Sequence, residues 1–133
     1  MEKKCLLLLM TTSTYRANAY LEASKKLDID TIIGTDQPDI LGHLNPGSSI
    51  NLDYSKNDDS KKKITELVNK FPIHAVLAID EETLILGAMV AESLGLICHS
   101  MESVSATRSK YEIRKILSED GLRNPEFKLI SSE

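Results

Sequence analysis

Apolar runs alternate along this chain with stretches in which apolar residues recur at helical spacing. Residues 5–10 are apolar throughout, which is typical of a strand covered on both faces. Shorter apolar or β-branched runs predict four more strands, at 31–34, 49–53, 75–79 and 96–98. Helical periodicity and turn signals predict five helices, at 15–27, 57–71, 80–94, 101–107 and 109–119. Strands that alternate with helices imply crossover connections, so the pattern predicts a three-layer α/β domain with a parallel sheet of about five strands.

Composition and charge limit the class of protein. The 133 residues fit one domain, and 41 % hydrophobic with 27 % charged residues is typical of a folded globular chain. A net charge of −4 argues against a nucleic-acid partner, because proteins that bind phosphate backbones normally carry a basic face. No apolar stretch approaches the ~20 residues of a membrane span, and the run at 5–10 is shorter than the ~7–15 apolar residues of a secretory signal. Only Cys5 and Cys98 are present and no disulfide framework is available, so we expect a cytoplasmic protein.

Polar residues follow three of the predicted strands, at the edge where an open parallel sheet binds its ligands. Thr12, Ser13 and Thr14 place hydroxyls beside a predicted helix N-terminus, which suits an anion. An ordinary cap with a polar loop is the alternative for these hydroxyls. Asp80 and Glu81 could receive an amine or a hydroxyl of a small substrate, or they could cap the next helix and offset its dipole. The loops that the edge rule selects are 11–15, 35–38 and 80–82.

Other familiar cofactor and catalytic patterns do not occur in the sequence. Neither G-x-G-x-x-G nor G-x-x-x-x-G-K-[ST] is present, which argues against a nicotinamide dehydrogenase and a P-loop nucleotidase. His43, His74 and His99 lack metal-ligand spacing. Cys98 and His99 are adjacent, so in a strand their side chains would point to opposite faces. The sequence therefore predicts a binding rim with no catalytic residues and no metal ligands of its own.

Several motifs, taken in their order and spacing, resemble the N-terminal (pre-ATP-grasp) domain of ATP-grasp ligases. AIDEE at 78–82 and AESLGL at 91–96 resemble the family's strand end and its A-x-x-L-G-L turn. HLNPGSSINLD at 43–53 is similar to a stretch of phosphoribosylglycinamide-synthetase-like carboxylate–amine ligases. The resemblance covers essentially the whole chain. The residues that resemble the family's D/N-K-x-x-x-R-x-x-L-x-x-x-G-x-P-x-P-x-F run are Ser109, Lys110, Arg114, Leu117, Gly121, Pro125 and Phe127.

The resemblance implies a Rossmann-like parallel sheet without the dinucleotide fingerprint, with a pre-ATP-grasp domain at 1–124 and the start of a linker into an ATP-grasp domain at 125–133. It also implies an enzyme that uses ATP and Mg²⁺ to convert a carboxylate into an acyl phosphate, which an amine then attacks to form a C–N bond. ATP would lie mostly between two further domains, so we expect this chain alone to bind no cofactor and to be inactive. Purine biosynthesis, as in phosphoribosylamine–glycine ligase, is the pathway that the similarity suggests.

The resemblance also implies roles for single residues. Lys110 matches a cationic position near the ATP phosphates, where a positive charge stabilises the transferred phosphoryl group. A solvent-exposed lysine near a helix start is the alternative. Residues 12–14 match the family's first substrate-facing loop, and Asp80 and Glu81 match its second. Many relatives have a glycine in the first loop where this chain has none, so the resemblance leaves the identity of the substrate open.

Two other interpretations stay open at the level of the sequence. One is a stand-alone flavodoxin-like binding or signalling module, such as a receiver domain, although hydroxyl residues stand at 11–13 where a receiver needs acids. The other is a scaffold whose rim binds nothing. The residues do not determine which carboxylate and which amine are the substrates, nor the oligomeric state, for which a homodimer is one option.

Overall fold

The computed structural model describes residues 3–37 and 48–131. It divides into two compact units, Met1–Cys98 and His99–Glu133. The predicted domain boundary after residue 124 falls within the second unit and stays a prediction. The first five residues of the motif at 43–53 lie outside the described residues.

The first unit consists of strands and helices in alternation. Its elements are β1 (Cys5–Leu9), α1 (Ala17–Lys26), β2 (Asp30–Thr35), β3 (Ser49–Asn51), α2 (Asn57–Val68), β4 (Ala75–Ala78), a 3₁₀ turn (Glu81–Thr83) and α3 (Leu84–Ser93).

The second unit contains two helices, α4 (Met101–Thr107) and α5 (Lys110–Glu119). Each begins with a serine cap: the Ser100 hydroxyl accepts from the Ser103 amide, and the Ser109 hydroxyl accepts from the Glu112 amide, both at 3.2 Å.

The strands of the first unit form one parallel sheet in the order β3-β2-β1-β4. Central β1 pairs with both neighbours, so that Leu7 lies opposite Ile32 on one side and Val76 on the other. Side chains alternate along β1, and the structure covers both of its faces. On one face Leu8 and Met10 pack with α1; on the other Leu7 and Leu9 pack with α2 and α3. The predicted three-layer α/β class is therefore confirmed.

The number of strands is a correction: within the described residues the sheet has four strands, and the strand predicted at 96–98 is wrong. The reason lies in the end of α3. Gly95 is left-handed, with φ +64°, the Gly95 amide donates to the Glu92 carbonyl, and the Leu96 amide donates to the Ala91 carbonyl. This is a Schellman cap, and the Leu96 side chain packs against the core as its apolar contact. The apolar run thus closes a helix instead of extending the sheet.

The predicted start of the first helix is also wrong. Sequence periodicity placed it at residue 15, whereas α1 begins at Ala17 and has no side-chain cap. Residues 11–16 instead form a loop that contains a hydrogen-bonded turn, in which the Thr14 amide donates to the Thr11 carbonyl at 3.2 Å. The hydroxyl residues after β1 are therefore loop residues and not helix caps.

Glycine packing sets the distance between α3 and β4. A Cβ placed on Gly87 would lie 2.9 Å from the Cβ of Ala78, which is too close for any side chain. The helix can therefore lie directly on the edge strand only because residue 87 has no side chain.

Of the helices in the described part of the chain, none combines the length and apolar composition that a bilayer crossing needs.

Core burial on the α1 face yields a stability prediction. Leu8 is fully buried in the cluster under α1, whereas Leu27, just past the end of α1, is 69 % exposed. Leu8→Ala is expected to lower the free energy of unfolding by about 2–5 kcal/mol, through lost transfer energy and a residual cavity. Leu27→Ala is expected to change it by no more than about 0.5 kcal/mol. Urea unfolding of both variants measures the difference, and equal losses would contradict the placement of Leu8 in the core.

Candidate functional site

The loops that follow the parallel strands meet at one edge of the sheet. Because β1 lies between β2 and β4, the chain leaves β1 for a neighbour on one side and later returns to its other side. The carboxyl end of β1 is therefore the point where the strand order reverses, and such points open crevices that bind ligands. The crevice here has a volume of about 630 Å³. Its lining residues are Thr11, Thr12, Ser13, Asp36, Asn51, Leu52, Asp53, Tyr54, Ser55 and Glu82.

Asp80 ties the loop after β4 to the loop after β1. Its Oδ2 accepts a hydrogen bond from the Thr11 amide at 2.7 Å and another from the Thr11 hydroxyl at 3.2 Å. The Thr11 hydroxyl lies 2.7 Å from the Ser13 hydroxyl, so a short polar chain runs from Asp80 to Ser13. Asp80 occupies the N-cap position of the 3₁₀ turn, but its carboxylate makes no capping bond there. The side chain links loops instead of capping a helix.

Asp36 makes the equivalent link from the other side. Its Oδ1 accepts from the Thr12 amide at 2.9 Å and from the Thr35 hydroxyl at 3.2 Å. Sequence reasoning selected the loop after β2 but did not single out Asp36. The position of Asp36 directly after a buried strand is the sequence signal that could have identified it.

The two carboxylates decide what chemistry the loop after β1 offers. The amides of Thr11 and Thr12 would suit an anion, but Asp80 and Asp36 already accept from them. The described residues that line the crevice include three carboxylates and no Lys or Arg. A bound group would meet hydroxyls and hydrogen-bond acceptors, an environment that favours donors such as amines over phosphates.

Asp53, at the β3 side of the crevice, is held in its ionised form. Its Oδ1 accepts from the Ser55 hydroxyl at 2.6 Å and from the Ser55 amide at 2.9 Å, and Lys56 lies 3.6 Å from Oδ2. The Ser55 hydroxyl bond, followed by the bond from the Ser55 amide, lowers the pKa of Asp53 below its usual value. This carboxylate adds a stable negative charge to the crevice.

Tyr54 also lines the crevice, and the sequence analysis did not single it out. Its hydroxyl donates to the Gly34 carbonyl at 2.7 Å and also lies 3.1 Å from the Met10 carbonyl. Burial raises the pKa of the Tyr54 phenol, and the negative charges of Asp36 and Asp80 raise it further. The sequence carried no signal for this role of Tyr54, because its partners Met10 and Gly34 are 44 and 20 residues away along the chain.

The structure brings some of the predicted site residues together and leaves others apart. Thr12 and Ser13 line the crevice, and Asp80 anchors it through Thr11. The Thr14 hydroxyl accepts from the Arg16 amide at 3.5 Å, in the turn that leads to α1. In the loop after β4, Glu82 lines the crevice, although the sequence favoured Glu81.

Lys110 belongs to the second unit, where it is the exposed first residue of α5. Its role near ATP phosphates stays a prediction. Within the described residues, no three His, Cys, Asp or Glu side chains are grouped so that they could hold a metal ion.

Comparison with known proteins supports the fold. No protein-family model matches the chain, and no curated protein sequence matches it. Among solved structures, two ligases share the fold of this chain. An L-amino acid ligase from Bacillus licheniformis matches with a TM-score of 0.74 and 18 % identity, over 94 % of this chain and 32 % of its own. A phosphoribosylglycinamide synthetase from Anaerococcus prevotii matches with a TM-score of 0.69 and 18 % identity, over 90 % of this chain and 30 % of its own.

The chain therefore spans about a third of the length of these two proteins. Both matches fit the fold of an N-terminal domain of ATP-grasp ligases, which the sequence motifs indicated. At 18 % identity the likeness establishes the fold, and activity does not follow from fold alone.

The bond between Asp80 and Thr11 yields a second prediction. Asp80→Ala removes the acceptor of the Thr11 amide, and Thr11 is only 8 % exposed, so the amide loses its partner in a poorly hydrated place. The free energy of unfolding is expected to fall by about 1–3 kcal/mol. Glu81→Ala, at an exposed neighbour, is the control, with an expected change within about 0.5 kcal/mol. Urea titrations compare the two; an unchanged Asp80→Ala midpoint would refute the link.

The raised pKa of Tyr54 predicts how stability depends on alkaline pH. In the folded protein the phenol keeps its proton beyond the ordinary value of 10.0, so Tyr54 contributes stability below that pH that is lost as the pH rises above it. The phenolate absorbance of the wild-type chain minus that of Tyr54→Phe isolates this group. We expect the difference to rise only together with unfolding. A Tyr54 phenolate formed near pH 10 in the folded chain would contradict the buried hydrogen bonds.

Proposed function

We propose that this chain is the substrate-binding N-terminal domain of an ATP-dependent ligase that joins a carboxylate to an amine. The observation that carries the proposal is the combination of a fold shared with two ligases over at least 90 % of the chain and a polar crevice at the switch point of its sheet. The three-dimensional likeness supports the ligase class. The crevice supplies the place where a substrate of that class would bind.

In the proposed reaction, ATP transfers its terminal phosphoryl group to the carboxylate, which gives an acyl phosphate and ADP. The amine attacks the acyl carbon, the C–N bond forms, and inorganic phosphate leaves. ATP and Mg²⁺ would be held by further domains of the whole protein. The described residues fit neither group as a cage: they form no metal cluster, and the loop amides after β1 already bond to Asp36 and Asp80. Lys110 is the proposed cationic contact to the ATP phosphates.

We assign Thr12, Ser13 and Asp80 to the amine-bearing substrate, with Thr14 and Glu81 at its edge. The hydroxyls of Thr12 and Ser13 lie at the crevice, and the carboxylates around them accept hydrogen bonds from an ammonium or amine. The lining described above contains no Lys or Arg, which favours an amine without a phosphate at this position. A phosphoribosylamine–glycine ligase activity in purine biosynthesis is the narrower form of the proposal, and it requires the phosphate of the substrate to bind elsewhere.

Release of ADP from ATP tests the proposed function in the whole protein that carries this chain. We expect ADP and phosphate to form only when a carboxylate and an amine are both supplied, with pairs of amino acids and phosphoribosylamine with glycine as the probes. The 133-residue chain alone is expected to release none. A whole protein that releases no ADP with any pair, or that lacks a domain for ATP, would refute the proposal.

A variant ties the activity to the crevice. Thr12→Ala removes one hydroxyl from the lining, and the KM for the amine is expected to rise about 3- to 10-fold, as for one lost hydrogen bond, while kcat changes less. Thr65→Ala is the matched control, since the Thr65 hydroxyl donates to the Lys61 carbonyl on the exposed side of α2. If Thr65→Ala raised the KM for the amine as much as Thr12→Ala, the activity would not depend on this crevice and the assignment would be wrong.

A further inference from the structure

The end of the ladder between β1 and β2 has an unusual partner. The last main-chain bond there runs from the Met10 amide to the Gly34 carbonyl at 3.0 Å. In a longer parallel ladder the next rung would be the Asp36 amide donating to the Met10 carbonyl. Here the Tyr54 hydroxyl takes that place, 3.1 Å from the Met10 oxygen and 2.7 Å from the Gly34 oxygen. A side chain therefore replaces the rung that would hold the two strands together.

This replacement has a geometrical consequence for the crevice. A continued ladder would join the main chains of the loops after β1 and β2 directly. With Tyr54 at the end of the ladder, the described parts of these loops are joined by side chains instead: the Tyr54 hydroxyl lies within hydrogen-bond distance of both carbonyls, and Asp36 accepts from the Thr12 amide at 2.9 Å. The Tyr54 ring packs against the core cluster that contains Leu7, Leu9 and residues of α2. This packing fixes the position of the Tyr54 hydroxyl.

The groups that line the crevice follow directly from these carbonyls. The peptide that carries the Met10 carbonyl also carries the Thr11 amide, which donates to Asp80, and the next amide, of Thr12, donates to Asp36. Gly34 is two residues before Asp36. A shift at the Met10 or Gly34 carbonyl would therefore move both carboxylate links at once.

We propose that Tyr54 is a positioning residue of the crevice, which acts through the Met10 and Gly34 carbonyls to hold the loops after β1 and β2 in position. The inference rests on the proposed function only where it concerns the binding of a ligase substrate in the crevice. The positioning itself is a property of the free chain.

Backbone amide NMR of the free 133-residue chain tests the proposal. Tyr54→Phe keeps the ring in the core and removes only the hydroxyl. We expect the native-state amide signals of Thr11 and Thr12 to shift, and hydrogen exchange at residues 10–13 and 34–37 to become at least about tenfold faster, while the other amides are unchanged. Tyr20→Phe is the matched control, because Tyr20 is half-buried on α1 and packs against the cluster on the opposite face.

A merely structural role for Tyr54 makes a different prediction. It lowers the urea midpoint and speeds exchange through global unfolding, but leaves the native Thr11 and Thr12 signals in place. That result would overturn the proposal. If Tyr54→Phe does not fold, 3-fluorotyrosine at position 54 keeps both ring and hydroxyl while making the hydroxyl a stronger donor. Unmoved Thr11 and Thr12 signals in that protein would overturn the proposal equally.

The ligase assay separates this inference from the proposed function. In the whole protein, Tyr54→Phe is expected to raise the KM for the amine about 3- to 10-fold with little change in kcat, because the lining is displaced and no reacting group is lost. Displaced loops in a protein without ligase activity would refute the function and leave the positioning intact. Ligase activity of the wild-type protein, together with unmoved loops in Tyr54→Phe, would support the function and refute the positioning role.

Discussion

The enclosure of β1 is the constraint on which the rest of this structure depends. Leu7 and Leu9 point into one core cluster, Leu8 and Met10 into the other, and both edges of the strand are paired in parallel with β2 and β4. A strand with no free face and no free edge forces helices onto both sides of the sheet and brings the ends of its neighbours alongside its own. The crevice is the direct consequence, since the parallel strands β2, β1 and β4 end at the same edge of the sheet and polar residues follow each of them.

Polar groups at this edge are satisfied by side chains from distant parts of the chain. Asp80 and Asp36 accept from the amides of Thr11 and Thr12, and the Tyr54 hydroxyl lies within hydrogen-bond distance of the two carbonyls at the end of the ladder. Leaving such groups unpaired near the core would cost about 1–3 kcal/mol each. The same bonds give the crevice its chemical character, because they use up the amides and leave hydroxyls and carboxylates facing the solvent. One network of hydrogen bonds thus contributes to stability and sets the polar character of the crevice.

The likeness to two ligases shows the fold, and the reaction and the substrate are matters of proposal. One neighbour is an L-amino acid ligase and the other a phosphoribosylglycinamide synthetase, and both match at the same low identity of 18 %. A fold common to both does not choose between their substrates. The lining, with three carboxylates and no Lys or Arg among the described residues, is the feature of this chain on which the proposal of an unphosphorylated amine rests.

The sequence by itself determined the class of the fold and the edge on which to look. An apolar run at 5–10 and polar residues after the first and fourth strands are local signals, and the structure agrees with each. The run at 96–98 misled because three apolar residues serve a helix cap as well as a strand. The roles of Asp36 and Tyr54 depended on the order β3-β2-β1-β4, which places side chains 24 and 44 residues away against the end of β1. Strand order is a property of the packed sheet, so only the tertiary structure could decide which polar groups meet.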